Sequence, residues 1–365
     1  MKIKDVIATL EALAPPSLQE GYDNAGLIAG DENATCTGIL VSLDATPAIV
    51  DEAMQKRCNL VVSHHPIIFA GLKRVTGKNY VQKAIINSIK NEIALYAIHT
   101  NLDNIVNGVN GRIASLIGLQ NISVLAPKEN QLKKLYTFVP VSDADKVRQA
   151  IHDAGGGHIG NYEECSFSVE GIGTFKGGVE TNPYVGRPGE LHREHEIKIE
   201  VIFPAWLEGR ITDALLSSHP YEEVAYDILR LENRFSTFGS GVIGDLASPV
   251  DVTTFLSSLK ERFKLQVIRH TELLEKPVRR VAVCGGAGSF LIPNALAANA
   301  DMFITSDIKY HEFFDANGKM VIADIGHYES EQFTINLLQE FLEQKFPTFA
   351  VLKTEVNTNP VRYFL

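Results

Sequence analysis

The chain has 365 residues, too many for one comfortable hydrophobic core, so two or more domains are expected. Its composition, 45% hydrophobic and 21% charged, suits a globular protein in water, and no apolar stretch approaches the roughly 20 residues of a membrane span. A formal charge of -10 gives no electrostatic reason to expect a nucleic-acid partner.

Met1 to Ala14 alternates charged and apolar residues as an amphipathic helix does, and it lacks the apolar core of a secretion signal, so a cytoplasmic location is expected. Four cysteines, Cys36, Cys58, Cys165 and Cys284, have no metal-type spacing and read as free thiols packed as small apolar side chains. The next stretch, Tyr22 to Leu27, reads as a loop or short edge strand, in which Asp23 and Asn24 either cap a turn or touch a ligand.

From Gly38 the chain alternates strands and helices. Strands are predicted at Gly38–Leu43, Leu60–Ser63 and Ile93–Ile98, with helices at Pro47–Arg57, Tyr80–Lys90 and Gly108–Ile117 between and after them. Helices of this length between strands imply parallel, right-handed crossovers. Two of the strands end in polar clusters. Val61 and Val62 lead into Ser63, His64, His65 and Pro66, and the strand ending at Ile98 leads into His99, Thr100, Asn101, Leu102 and Asp103. Neighbouring residues on a strand point to opposite faces, so paired histidines can share a ligand only where the strand breaks, and Pro66 supplies that break.

The character of the sequence changes near Pro127 and again near Asn233. Between them, strands at Leu135–Pro140, Tyr162–Val169, Gly171–Gly177, Glu196–Phe203 and Val224–Leu231 enclose helices at Asp143–Ala154 and Leu207–Ser217. Strand, helix, strands, helix, strand is a ferredoxin-like order. The stretch Asn182 to Arg193, with Gly186, Pro188 and Gly189, reads as a mobile loop across one end.

The far end repeats the first pattern, with strands at Arg280–Cys284, Met302–Thr305 and Met320–Ile325 and helices at Phe290–Asn299, Tyr310–Ala316 and Gln332–Gln344. One core built from two similar α/β halves is expected, with the middle inserted between them. The last strand again ends in a polar cluster, Gly326, His327, Tyr328, Glu329, Ser330 and Glu331, in which His327 and Glu331 are spaced to share one helical face. Imidazole and carboxylate together suit zinc, iron, manganese and similar divalent ions. Parallel α/β sheets gather their ligands at this edge. The turn Cys284, Gly285, Gly286, Ala287, Gly288, Ser289 follows a strand and precedes a helix, but Leu291 stands where a dinucleotide fingerprint needs its third glycine. Gly286 therefore reads as part of a turn that lets substrate approach the metal edge, or as purely structural.

These motifs, with Ser306-Asp307 between the glycine turn and the last cluster, together resemble the Nif-three-like family over the whole chain. The resemblance implies a Nif-three-like core in residues 1–126 and 234–365, and an inserted PII-like or CutA-like α+β domain in residues 127–233. It implies two divalent metal ions per subunit, zinc first and iron or manganese as alternatives. The ligands carried over are His64, His65, Asp103, His327 and Glu331, with Glu331 as the bridging carboxylate. His99 then either ligates or orients a ligand, and Asp307, His311 and Glu329 are candidate proton carriers or supporting residues. Further implications are a homohexamer and a metal-dependent hydrolase, GTP cyclohydrolase-like or a phosphoesterase, acting on a nucleotide or other small molecule. The alternative is a metal-binding regulatory or scaffold protein whose inserted domain senses a small ligand or partner.

Overall fold

In the computed structural model, which describes residues 1–233, 235 and 237–364, the apolar runs of the first segment form short strands. These are β1 (Gly26–Ala29), β2 (Ile39–Ser42), β3 (Leu60–Ser63) and β4 (Ala94–Ala97). Strands β2, β3 and β4 are parallel and every residue in them is buried, as continuous Ile, Leu, Val and Ala runs demand when helices cover both faces. Ile49, Val50 and Ala53 of the helix Pro47–Gln55 pack on Leu40 and Val61, joined by Ala84 and Ile85 of the helix Tyr80–Lys90. The second helix is capped by Asn79, whose side chain accepts from the Gln82 amide at 2.9 Å. Strand β5 (Gln120–Pro127) then closes the segment.

The residues Lys128–Phe235 form a unit of their own. Strands β6 (Leu132–Pro140), β7 (Ser166–Lys176), β8 (Leu191–Pro204) and β9 (Tyr226–Leu231) make an antiparallel sheet in the order β7-β8-β6-β9. Helices Ala144–Asp153 and Glu208–Ser218 cover one face and bury Leu135, Val139, Val147, Ile151, Ile199, Val201, Phe203, Ile211 and Leu215. The two strands expected at Tyr162–Val169 and Gly171–Gly177 are a single strand, because Glu170 and Gly171 stay in register opposite Ile197 and Glu196. The loop expected at Asn182–Arg193 is shorter than its glycines and proline suggested, since β8 begins at Leu191.

Beyond that unit come β10 (Gly239–Val250), β11 (Arg269–His270), β12 (Val278–Ala287), β13 (Met302–Ser306), β14 (Val321–Asp324) and β15 (Val351–Lys353). The second half builds its own six-stranded sheet, β11-β14-β13-β12-β10-β5, beside the five-stranded β1-β4-β3-β2-β15. Each has three parallel strands at its centre, and β1 and β11 run antiparallel at corresponding edges. Each half also lends one strand to the other: β5 pairs with β10, and β15 with β2. The two segments therefore fold as one unit, Met1–Pro127 with Ser236–Leu365. Phe303, Ile322, Ala282 and Cys284 of the second sheet pack against Leu291, Ile292 and Ala295. The segment Tyr310–Ala316, expected as a helix, is a 3-10 helix.

Candidate metal centre

The polar clusters all lie at the C-terminal ends of parallel strands. His64 and His65 follow β3, His99 and Asp103 follow β4, and His327 and Glu331 sit on the short helix His327–Glu331 after β14. Gly326, with φ of 88°, makes the turn into that helix, a conformation open to glycine at little strain. The spacing of His327 and Glu331 then places both side chains on one face, and the Glu331 carboxylate, 3% exposed, reaches the middle of the cluster.

Around Glu331 the side chains form two overlapping triads. Its Oε2 lies 2.9 Å from His65 Nε2 and 3.1 Å from His327 Nε2. Its Oε1 lies 3.8 Å from His64 Nε2, which is itself 3.6 Å from Asp103 Oδ1. His99 joins His64 and His65 in a third group close enough to share an ion. Imidazole and carboxylate atoms gathered this closely can hold a divalent metal.

All four imidazoles are oriented in the same way. His64 Nδ1 donates to the Ile98 carbonyl at 2.9 Å, His65 Nδ1 meets Asp44 Oδ1 at 2.8 Å, His99 Nδ1 meets Asp23 Oδ1 at 2.8 Å, and His327 Nδ1 meets Asp307 Oδ2 at 2.7 Å. An oxygen acceptor on Nδ1 fixes the ring and turns the Nε2 lone pair inward, the usual arrangement behind metal-bound histidines. The acceptors are themselves anchored, Asp23 by Thr100 and Asp44 by Thr358. Asp307 has φ of 56°, left-handed backbone that aspartate adopts more readily than most non-glycine residues.

Charge in the cluster is strongly redistributed. Burial, with Glu331 beside it, pushes Asp103 up to about 7. Burial acts on Glu331 in the same direction, but the charge and hydrogen bond of His327, with His64 and His65, hold it well below the usual carboxylate range. Burial disfavours the charged imidazoles, yet Asp44 and Glu331 raise His65 to about 9, while Glu331 and Asp307 raise His327 to about 11. Asp23 falls to about 2 despite burial, because His99 and Thr100 donate to it. His64 Nε2 and Asp103 Oδ1 are buried with no hydrogen-bond partner among the described residues. Each such orphan costs about 1–3 kcal/mol in the protein alone. A divalent cation satisfies a neutral imidazole nitrogen and a carboxylate oxygen at once, so the donor set fits a metal.

The glycine turn closes the centre from the β12 side. Gly286 has φ of 62°, and a Cβ there would collide with Glu331 Oε1. Its amide donates to Ser330 Oγ at 3.0 Å, and Ser330 Oγ donates to the His327 carbonyl at 2.8 Å. The turn therefore sets both position and clearance for the helix that carries His327 and Glu331. A cleft of about 740 Å³ opens over the cluster, with Tyr22, Phe69, Tyr80 and Phe290, each more than half exposed, along its sides. Among the described residues, no lysine or arginine lines it.

Of the residues singled out in the sequence, His64, His65, His99, Asp103, His327 and Glu331 come together, with Asp307 and Gly286 in contact with them. His311 does not: it lies exposed on the turn Tyr310–Ala316, its ring against Tyr310 and Phe314. Glu329 is not among the residues that line the cleft and accepts from Asn359 at 3.1 Å. Asp44 was not anticipated. The one sign of it in the sequence is a carboxylate two residues beyond the end of a buried strand.

The model of the family described as Duf34/NIF3 (NGG1p interacting factor 3) matches residues 1–360. The chain is 37% identical over 363 residues to the GTP cyclohydrolase 1 type 2 homolog of Halalkalibacterium halodurans, covering 98% of both chains. To the protein of the same name from Bacillus subtilis it is 35% identical over 366 residues, covering 99% of this chain and 98% of that one. Among solved structures, a Bacillus cereus protein related to NIF3 matches 100% of this chain and 99% of its own, with a TM-score of 0.87 and 38% identity. Staphylococcus aureus protein SA1388 matches over the same shares with a TM-score of 0.78 and 29% identity.

Proposed function

This chain belongs to the Duf34/NIF3 family, and from that premise we propose that it is a metal-dependent hydrolase with two divalent ions bridged by Glu331. The ligands are His64, His65, Asp103, His327 and Glu331, with His99 a further candidate, and zinc, iron or manganese suits them. One observation carries the reading: Glu331 directs one carboxylate oxygen at His65 and His327 and the other at His64, while His64 Nε2 and Asp103 Oδ1 lie buried without hydrogen-bond partners among the described residues. A bridging carboxylate accounts for both.

Two divalent ions held there would lower the pKa of a water and neutralise charge developing on a substrate. The chain's own residues do the rest. Asp44, Asp23 and Asp307 hold the imidazoles in one tautomer and one orientation. Gly286 leaves room for Glu331, and Tyr22 and Phe290 give the cleft aromatic sides against which a flat substrate can lie. Because the described lining has no lysine or arginine and carries the carboxylates of Glu20, Asp44, Asp103 and Glu331, the protein without metal should bind a nucleoside triphosphate poorly. The relatives' name, GTP cyclohydrolase 1 type 2 homolog, makes GTP and phosphoesters the first substrates to try. Self-association as a hexamer, which the family resemblance implies, belongs to the same reading and is measured by light scattering.

The test is hydrolysis of GTP and a panel of phosphoesters by metal-loaded protein. Turnover is expected, with Asp103→Ala lowering it at least about a hundredfold through loss of a ligand. Fully loaded protein without turnover on any member of the panel would contradict the hydrolase reading.

A further inference from the structure

The unit Lys128–Phe235 holds a second cavity, of about 650 Å³, on the face of its sheet opposite the two helices. Residues on β8 alternate between the faces. Ile199, Val201 and Phe203 enter the helical core, which turns Glu196 and Lys198 to the cavity. Glu196 is 8% exposed. Its Oε1 accepts from Tyr221 Oη at 2.9 Å, while Oε2 accepts no hydrogen bond among the described residues and lies beside Gly173, where a Cβ would collide with it. An oxygen left open on the cavity wall in this way can accept from a cation bound there.

The walls beside the carboxylate are aromatic. The Tyr221 ring stands 6.1 Å from Phe175 and 6.2 Å from Tyr184, centre to centre. The segment carrying Tyr184 is tied down by the Asn182 amide, which donates to Glu222 at 3.1 Å, and by the Gly189 amide, which donates to the Gly177 carbonyl at 2.8 Å. Four glutamates and two lysines line the cavity, and one of those lysines is already committed. Lys198 Nζ lies 2.6 Å from Glu200 and 4.5 Å from the centre of the Tyr136 ring. Opposite Glu196 on the neighbouring strand, Gly171 has no atom near the place its Cβ would occupy, so the cavity is open there.

We propose that this cavity binds a small organic cation, an amidine or amine on a flat apolar body, with Glu196 as its counter-ion and Phe175, Tyr184 and Tyr221 as its aromatic walls. A cation in this place is drawn both by the carboxylate and by the negative faces of the rings. The excess of carboxylates repels an anion of the same shape.

The test uses the full-length, metal-loaded protein and two nearly isosteric probes of opposite charge, benzamidinium and benzoate, titrated by calorimetry. Benzamidinium does not coordinate metal ions while protonated, and loss of its binding in Gly171→Leu assigns that binding to this cavity rather than to the cleft over the metal centre. Benzamidinium is expected to bind and benzoate not. Glu196→Gln should weaken benzamidinium about tenfold or more, as for loss of a charge-assisted hydrogen bond. Gly171→Leu, whose side chain enters open space, should abolish binding even if Glu196→Gln fails to fold. Both variants should keep the wild-type metal content. Binding of benzoate that is as tight as benzamidinium and is likewise lost in Gly171→Leu, no binding of benzamidinium, or wild-type affinity for benzamidinium in Gly171→Leu would each overturn the proposal.

Discussion

Each histidine of the candidate centre depends on an oxygen that comes from elsewhere in the sequence. His65 relies on Asp44, 21 residues away, and His99 on Asp23, 76 residues away. Replacing such an acceptor leaves the ligand in place but frees its ring and tautomer. Asp44→Asn and Asp23→Asn should therefore weaken metal retention by about 10–100-fold, measured by competition with a chelator, with little change in the circular dichroism of the fold. The histidines were legible in the sequence because each interrupts an apolar run. Their acceptors were not. A lone aspartate in a loop reads first as a turn cap, and Asp23 does accept from the Asn24 amide as a cap would.

At the scale of elements, the parallel strands were the most legible part of the chain. Ile39–Ser42, Leu60–Ser63, Ala94–Ala97 and Val321–Asp324 are buried along their whole length, so they stand out as unbroken apolar runs. Two other strands were much less so: antiparallel β10 contains Gly239, Gly241, Gly244 and Pro249, which break any alternation, and β15, parallel to β2, is only three residues long. The helix Val252–Arg262 was not predicted, although its cap, Asp251, accepts from the Thr254 amide at 2.9 Å. In the other unit, the corner between the helix Glu208–Ser218 and β9 carries a titratable group whose state the fold controls. His219 Nε2 donates to the Phe138 carbonyl at 3.0 Å and Nδ1 accepts from the Tyr221 amide at 3.1 Å, which requires a neutral ring. Burial lowers its pKa from the ordinary 6.5, against the opposing pull of the Phe138 carbonyl, Glu196 and Asp143. Because the folded pKa is the lower one, the stability is complete above the unfolded value and is lost as pH falls toward the folded value. Urea unfolding followed by Trp206, the sole tryptophan and a resident of this unit, should show stability falling between about pH 7.5 and about pH 5.5. The fall should flatten in His219→Gln.

For the whole molecule, the exchange of strands β5 and β15 makes one unit of two sequence segments, and the candidate ligands follow the same division. His64, His65 and Asp103 come from the first segment, His327 and Glu331 from the second. An ion held by both ties them together and stabilises the folded state in proportion to its occupancy, by about 2.7 kcal/mol at a hundred times Kd. Stripping metal with a chelator should lower the melting temperature by several degrees, and adding back zinc, iron or manganese should restore it. The pairing of the halves was foreshadowed by the repeated pattern of strand and polar cluster; the exchange of strands was not, because pairing between distant segments leaves no local pattern to read. The most direct measurement is elemental analysis of metal per chain, on wild-type protein and on Glu331→Ala after incubation with zinc, iron and manganese. If Glu331 bridges two ions, wild type carries about two per chain and the variant loses both together. Wild-type protein that takes up little or no metal, or a variant that keeps a full pair, would contradict the account.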